Sequence, residues 1–234
     1  MGSHATNTGK LYLVPTPIGN LDDITLRALE VLKAVDLIAC EDTRRSGQLL
    51  AHFGIEKRKI SYFEHNELKR TPQILEALRE GKSVAVVSDG GSPGLSDPAY
   101  RIVCAAIEGF LPVEALPGAN AIIPALTASG LPTDRFFFEG FLPVKSARRR
   151  RRLMELKVFP HTMIFYESVH RIAKSLADMA DVFGQRRLCV GREISKIYEE
   201  YIRGPAPDVA RHFAGVTPKG EFVIVVEGCR EAEG

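Results

Sequence analysis

Short apolar runs alternate with segments of helical spacing through the first half of the chain. LYLV (Leu11 to Val14) reads as a short buried strand, after which Ile24, Ala28, Val31, Leu32 and Val35 fall on one helical face. The pattern then repeats. DLIAC closes a second strand at Cys40 and leads into a helix through Leu49 and Leu50. KISYF centres a third strand, followed by a helix from about Pro72, a natural first-turn residue, to Glu80. SVAVVS is the fourth strand, with its helix after Asp97-Pro98, and LPVEALP holds the fifth. Strands spaced by helices imply βαβ units and a largely parallel sheet.

Beyond Gly118 the pattern changes. ANAIIPALTASG reads as a helix that stops at Gly130, and RFFFEGF, TMIFYE, RLCVGRE and GEFVIVVEG read as strands. ISKIYEEYIRG also alternates, so it follows RLCVGRE as a second consecutive strand, which favours a mixed sheet. The expected architecture is therefore α/β in two domains, residues 9–117 and 118–234. The sheet is largely parallel in the first and mixed in the second.

Composition narrows the class. Hydrophobic residues at 45% and charged residues at 26% suit a globular chain, and no apolar run approaches the ~20 residues that span a bilayer. The first residues, MGSHATNTG, lack the apolar core of a signal peptide and are left outside the fold. Cys40, Cys104, Cys189 and Cys229 are scattered without a C-x-x-C pair, which fits a reducing cytoplasm, and the short apolar runs lead to no expected membrane partner. The six histidines include no H-E-x-x-H, so no metal is expected. Net charge is only +2, but PVKSARRRRRLMELK (Pro143 to Lys157) carries a local +6, which leaves −4 for the remainder. Arg148, Arg149, Arg150, Arg151 and Arg152 thus form a candidate docking site for a polyanion, weighed against a solvated helix face.

Two nucleotide signatures fail. Gly81-Lys82-Ser83 resembles the end of a P-loop, yet Glu76 stands where the loop needs glycine, and the segment enters a strand. G-x-G-x-x-G is absent after LYLV, where the chain reads PTPIGNLDD. What remains is a set of turns rich in glycine and proline: PTPIGN after the first strand, SDGGSPG after the fourth and LPGANA after the fifth. In an open α/β sheet ligands lie outside the carboxyl ends of strands. Glycines let the backbone approach a ligand, and prolines stiffen the turn. Three such loops on one expected edge point to one shared site.

These loops, with VPTPIGNLDDITLRALEVLKAVDLIACEDTRRS, SDGGSPGLSDP, GLPTDRFFFEGFLP, FYESVHR, GREISKIYEE and KGEFVIVVEG, occur in the order found in one family. The chain resembles the tetrapyrrole methylase superfamily of S-adenosylmethionine-dependent methyltransferases from residue 11 to about 228. EDTRRSGQLL and FYESVHR match its ribosomal RNA branch. The resemblance implies homodimers of two-domain α/β subunits with S-adenosylmethionine in the cleft between domains. It also implies methylation of the ribose 2′-hydroxyl of a cytidine in the decoding region of 16S ribosomal RNA, within the small ribosomal subunit. Carried over residue by residue, it places Pro17, Gly19 and Asp89 beside the cofactor. The superfamily's Gly-Gly-Asp-Pro loop becomes Gly90-Gly91-Ser92-Pro93, with serine replacing aspartate, and Leu95 follows it. Asn120 and Ala121 stand where Thr-Ala is frequent. Tyr166, Glu167, Ile194, Gly220, Glu221 and Phe222 are expected to close over the adenine. Some members continue beyond VIVVEG into a small extension, so RNA contacts made there are expected to be absent or replaced.

Methyl transfer from a sulfonium is an in-line displacement, and a ribose hydroxyl needs a base or hydrogen bonds that stabilise developing alkoxide. CEDTRRS and FEHNE hold the candidates. Asp42 or Glu41 would orient or deprotonate the hydroxyl, with Asp42→Asn expected to cost at least tenfold in turnover. Arg44 would hold a phosphate, and His65 and Asn66 would read ribose or cytosine, with Lys196 approaching from the other domain. The bland reading of Glu41 is a helix cap paired with Arg44 or Arg45. Two further alternatives stay open: a small-molecule methyltransferase of the same superfamily, and a non-catalytic RNA-binding module.

Overall fold

The structure, a computed structural model, describes residues 8–215 and 219–229. The chain divides into two compact units, Met1–Asn120 and Ala121–Gly234.

The first unit alternates strand and helix: β1 (Leu11–Leu13), α1 (Leu26–Ala34), β2 (Leu37–Cys40), α2 (Thr43–His52), β3 (Lys59–Ser61), α3 (Glu67–Arg79), β4 (Val84–Val87), α4 (Tyr100–Glu108) and β5 (Val113–Ala115). Its sheet has the order β3-β2-β4-β1-β5, and every pairing is parallel. The unbroken apolar run of β4 follows from this position, because both faces of the central strand are covered. Val84 and Val86 pack with Ile74, Leu78, Ile102 and Ala106 of α3 and α4. Ala85 and Val87 pack with Ala28, Leu32 and Leu50 of α1 and α2. The connection leaving β1 runs toward β2, and the connection leaving the neighbouring β4 runs the other way to β5. Strands β1 and β4 therefore flank a topological switch point, where loops part and leave a crevice.

Helix α3 begins at Glu67, five residues before the predicted start, with Pro72 inside it. Proline removes the bond to the carbonyl of Leu68, and because Leu68 is strongly exposed the lost bond lies at the surface, where the cost is small.

The second unit comprises α5 (Ile122–Ala128), β6 (Phe136–Phe141), α6 (Ser146–Leu156), β7 (Thr162–Ser168), α7 (Ile172–Phe183), β8 (Arg187–Arg192), β9 (Glu200–Pro205), α8 (Ala206–Ala214) and β10 (Glu221–Val226). The order is β6-β7-β10-β8-β9, with only β6 and β7 parallel, a mixed sheet as the consecutive strands implied. Only the second half of ISKIYEEYIRG is strand. Residues 194–199 instead form a turn region, with Glu193 (φ 48°) and Ser195 (φ 67°) both in the left-handed region. Two backbone reversals within three residues break the alternation that the side chains advertise.

Candidate active site

The three glycine- and proline-rich loops are knitted together at the switch point. Thr16 and Gly91 exchange both backbone hydrogen bonds, at 3.0 and 2.8 Å, joining the loop after β1 to the loop after β4. The Thr16 hydroxyl donates to the Ser88 carbonyl at 3.0 Å, and the Ser92 hydroxyl donates to the carbonyl of Ala119 in the loop after β5 at 3.2 Å. Gly91 has φ 92°, which a larger residue adopts only with strain. A Cβ on Gly118 would lie 2.7 Å from Pro15, so that glycine lets the first and third loops touch. Pro93 is buried and Leu95 partly exposed, and Ser96 (φ 69°) turns the chain into α4.

Three carboxylates gather beside these loops. Burial pushes the Glu41 carboxyl up, and the nearby Asp89 adds to that. Burial and then the Glu41 charge push Asp97 up to about 6, with the Ser88 hydroxyl pulling the other way. Asp89 Oδ1 accepts from the Asp42 amide at 3.0 Å, and Oδ2 pairs with Arg45 at 3.2 Å. Mutual repulsion among such groups is relieved by a proton or by a bound cation. Neither Asp97 nor Arg45 stood out as a site residue in the sequence. Asp97 lies eight residues past Asp89 and returns only because the loop folds back; Arg45 is distinguished from Arg44 only by the helical turn.

Several expected roles do not survive. Asp42 is the N-cap of α2: its Oδ1 accepts from the Arg44 amide at 2.8 Å, and its carboxylate takes the Arg44 guanidinium at 2.8 and 3.2 Å. Those bonds hold its carboxyl far below the usual range, so it is a poor proton acceptor. The cap is Asp42, where Glu41 had been considered. Arg44 is thereby engaged. Asn66 is spent locally, accepting from the Phe63 amide at 2.9 Å and donating to the Ser61 carbonyl and hydroxyl at 3.2 and 3.1 Å. It shapes the turn into α3, leaving neither amide group to read a base. His65 is exposed, its ring edge-on to Phe63.

In the second unit, Glu167 is buried, accepting from the Ser168 amide at 2.8 Å, Arg171 at 2.6–2.7 Å and the Ser175 hydroxyl at 2.5 Å. Strand alternation likewise sends Phe222 into the core against Phe213, and Ile194 is buried over Gly191. All three side chains are turned into the second unit's interior, Glu167 as an ion-paired carboxylate and the other two as packing groups. Tyr166 stacks edge-on with Phe138 and is only half-buried. Lys196 is held between Glu193 and Glu221, both at 2.9 Å, and Gly220 (φ 98°) turns the chain there. Those carboxylates leave Lys196 little charge to offer a phosphate.

The arginine run also divides. Arg149 is 3% exposed and bound to Asp178, Arg150 pairs with Asp178 and Asp181, and Arg152 pairs with Glu139 and Glu155. Only Arg148 and Arg151 are exposed with no carboxylate partner among the described residues. A helix presents its residues to all sides, so five consecutive arginines cannot face one ligand.

A model of the Tetrapyrrole (Corrin/Porphyrin) Methylases matches residues 10–210. The chain belongs to this family. It is 51% identical over 218 residues to the Ribosomal RNA small subunit methyltransferase I of Mesorhizobium japonicum, covering 92% of this chain and 74% of that one. The protein of the same name from Escherichia coli O157:H7 is 48% identical over 231 residues, covering 96% and 80%. The fold is shared with uroporphyrin-III C-methyl transferase from Thermus thermophilus, solved with S-adenyl homocysteine, at TM-score 0.62 and 21% identity over 93% of this chain and 97% of that one. Among the described residues of this tetrapyrrole methylase no helix is long and apolar enough to cross a membrane, and no metal-binding group of side chains occurs.

Proposed function

We propose that this chain transfers a methyl group from S-adenosylmethionine to the ribose 2′-hydroxyl of a cytidine in 16S ribosomal RNA. The observation that carries this reading is the knitted triple loop at the switch point, set within a chain that is 51% identical to a named small-subunit ribosomal RNA methyltransferase. It acts in the cytoplasm as a homodimer, on a cytidine within the assembled small subunit.

The residues fit a sulfonium cofactor. Glu41, Asp89 and Asp97 supply negative potential, and Gly90 and Gly91 present backbone without side chains. When bound, S-adenosylmethionine supplies an activated methyl group that needs no metal to leave. The loops' task is alignment, worth ~7–11 kcal/mol in favourable cases. Ser92 binds the Ala119 carbonyl, so it braces the loop where the superfamily carries aspartate. Asp97, raised toward neutrality, is a better proton acceptor than Asp42. Arg148 and Arg151 are left to meet phosphate, braced by the ion pairs of their neighbours. The test is methyl transfer to small subunits lacking the modification, with the labelled atom mapped.

A further inference from the structure

On the α2 side of the switch point, the first unit holds a cavity of about 390 Å³. Thr16, Ser88 and Asp89 form its floor. One face of α2 forms its wall, where Arg45, Gln48 and His52 recur at helical spacing around Leu49. The side chains of Gln48 and His52 are exposed and make no hydrogen bond among the described residues. The volume lies near the small end of ligand pockets, which suits one nucleotide better than a macrocycle or a stacked base pair.

We propose that this cavity seats the methyl-accepting nucleotide of the RNA, unstacked from its neighbours. Arg45 leaves Asp89 to take a flanking phosphate, and Gln48 and His52 meet the base. The inference rests on the methyltransferase reading and adds to it the place of the acceptor. Pro17, Gly19 and Asp89 line this cavity and are also assigned to the cofactor, and a shared wall is required when acceptor and donor must approach to ~3–3.5 Å. A guanidinium in the wall suits phosphate and opposes a sulfonium, which makes this the acceptor's side. The Arg45 side chain is 69% exposed and pairs with Asp89 at 3.2 Å, and a pair of that kind is worth ~0–1 kcal/mol, so it exchanges readily. Arg44 does not line the cavity and is held by Asp42. Enzymes that act on a nucleotide commonly take it out of the stack into such a pocket.

The experiment uses the full chain loaded with S-adenosylhomocysteine. Cytidine 5′-monophosphate is titrated while backbone amide signals are followed, in the wild type and in Leu49→Trp, which fills the cavity. Signals of Gln48, Leu49 and His52 should move in the wild type and stay fixed in the variant, whose cofactor affinity by calorimetry should hold within about twofold. Arg45→Met should weaken binding to unmodified small subunits at least tenfold and lower the salt slope by about 1, whereas Arg44→Met should stay within about twofold. Shifts elsewhere or nowhere, equal effects of the two arginine variants, or wild-type methyl transfer by Leu49→Trp would overturn the assignment. Nucleotide binding here without any methyl transfer by the wild type would instead remove the reaction and leave the cavity standing.

Discussion

The guanidinium of Arg149 binds Asp178 through Nε and a terminal nitrogen, both at 2.7 Å, and the arginine is 3% exposed. Its other terminal nitrogen reaches the Val144 carbonyl at 3.1 Å, which ties the start of α6 to α7. A fully stranded buried charge costs about 3–5 kcal/mol, and Asp178 would still keep Arg150 at 3.2 Å and the Ser146 hydroxyl, so the loss lies toward the lower end of that range. Arg149→Met should therefore lower the denaturation midpoint sharply. The double variant Arg148→Ala/Arg151→Ala should leave stability within about 0.5 kcal/mol and make RNA binding less salt dependent. Denaturant titration beside binding at several salt concentrations separates the two.

Asp42 is expected to behave as a cap and not as a base. Asparagine caps helices as well as aspartate, so Asp42→Asn should change turnover less than about threefold, against the tenfold loss that a base would show. Asp42→Ala should cost about 1 kcal/mol of stability. Single-turnover methyl transfer and thermal melts check both, and a tenfold loss in the asparagine variant would restore Asp42 to the chemistry.

Asp97 should make cofactor affinity depend on pH. Its carboxyl titrates near 6 in the folded chain, against an ordinary value of 3.8. Above 6 it is ionised and favours a sulfonium. Affinity for S-adenosylmethionine should then rise about three- to tenfold between pH 5 and 7.5, with S-adenosylhomocysteine, whose sulfur is neutral, changing less than about twofold. The same shift acts on stability. Because the folded value is raised, the contribution is fully present below 3.8 and is lost as pH rises through 6. Asp97→Asn should thus be more stable than wild type above pH 6 and should flatten the affinity profile in calorimetry. An unchanged profile would remove Asp97 from the site.

Much of this was legible in the chain. The apolar run Val84–Val87 marked a strand of a largely parallel sheet, and the glycines of SDGGSPG and LPGANA marked loops that the structure brings into contact. What escaped was set by tertiary partners. Asp178, 29 residues beyond Arg149, decides that this arginine is buried, and no local pattern reports it. Asn66 and Asp42 carry the side chains of base readers and acids, but the same atoms cap turns and helices, and the nearby backbone amides take them first. Phe222 and Glu167 sit in motifs of the family resemblance, yet their side chains point into the second unit's interior.

The most direct test of the whole account incubates the full chain with S-adenosylmethionine labelled in its methyl group and small ribosomal subunits that lack the modification. The RNA is then digested, and the labelled nucleoside identified. The account predicts one labelled site, a cytidine of 16S ribosomal RNA methylated at the ribose 2′-oxygen. Label on a base, on another nucleoside, or only on a small tetrapyrrole substrate would contradict it.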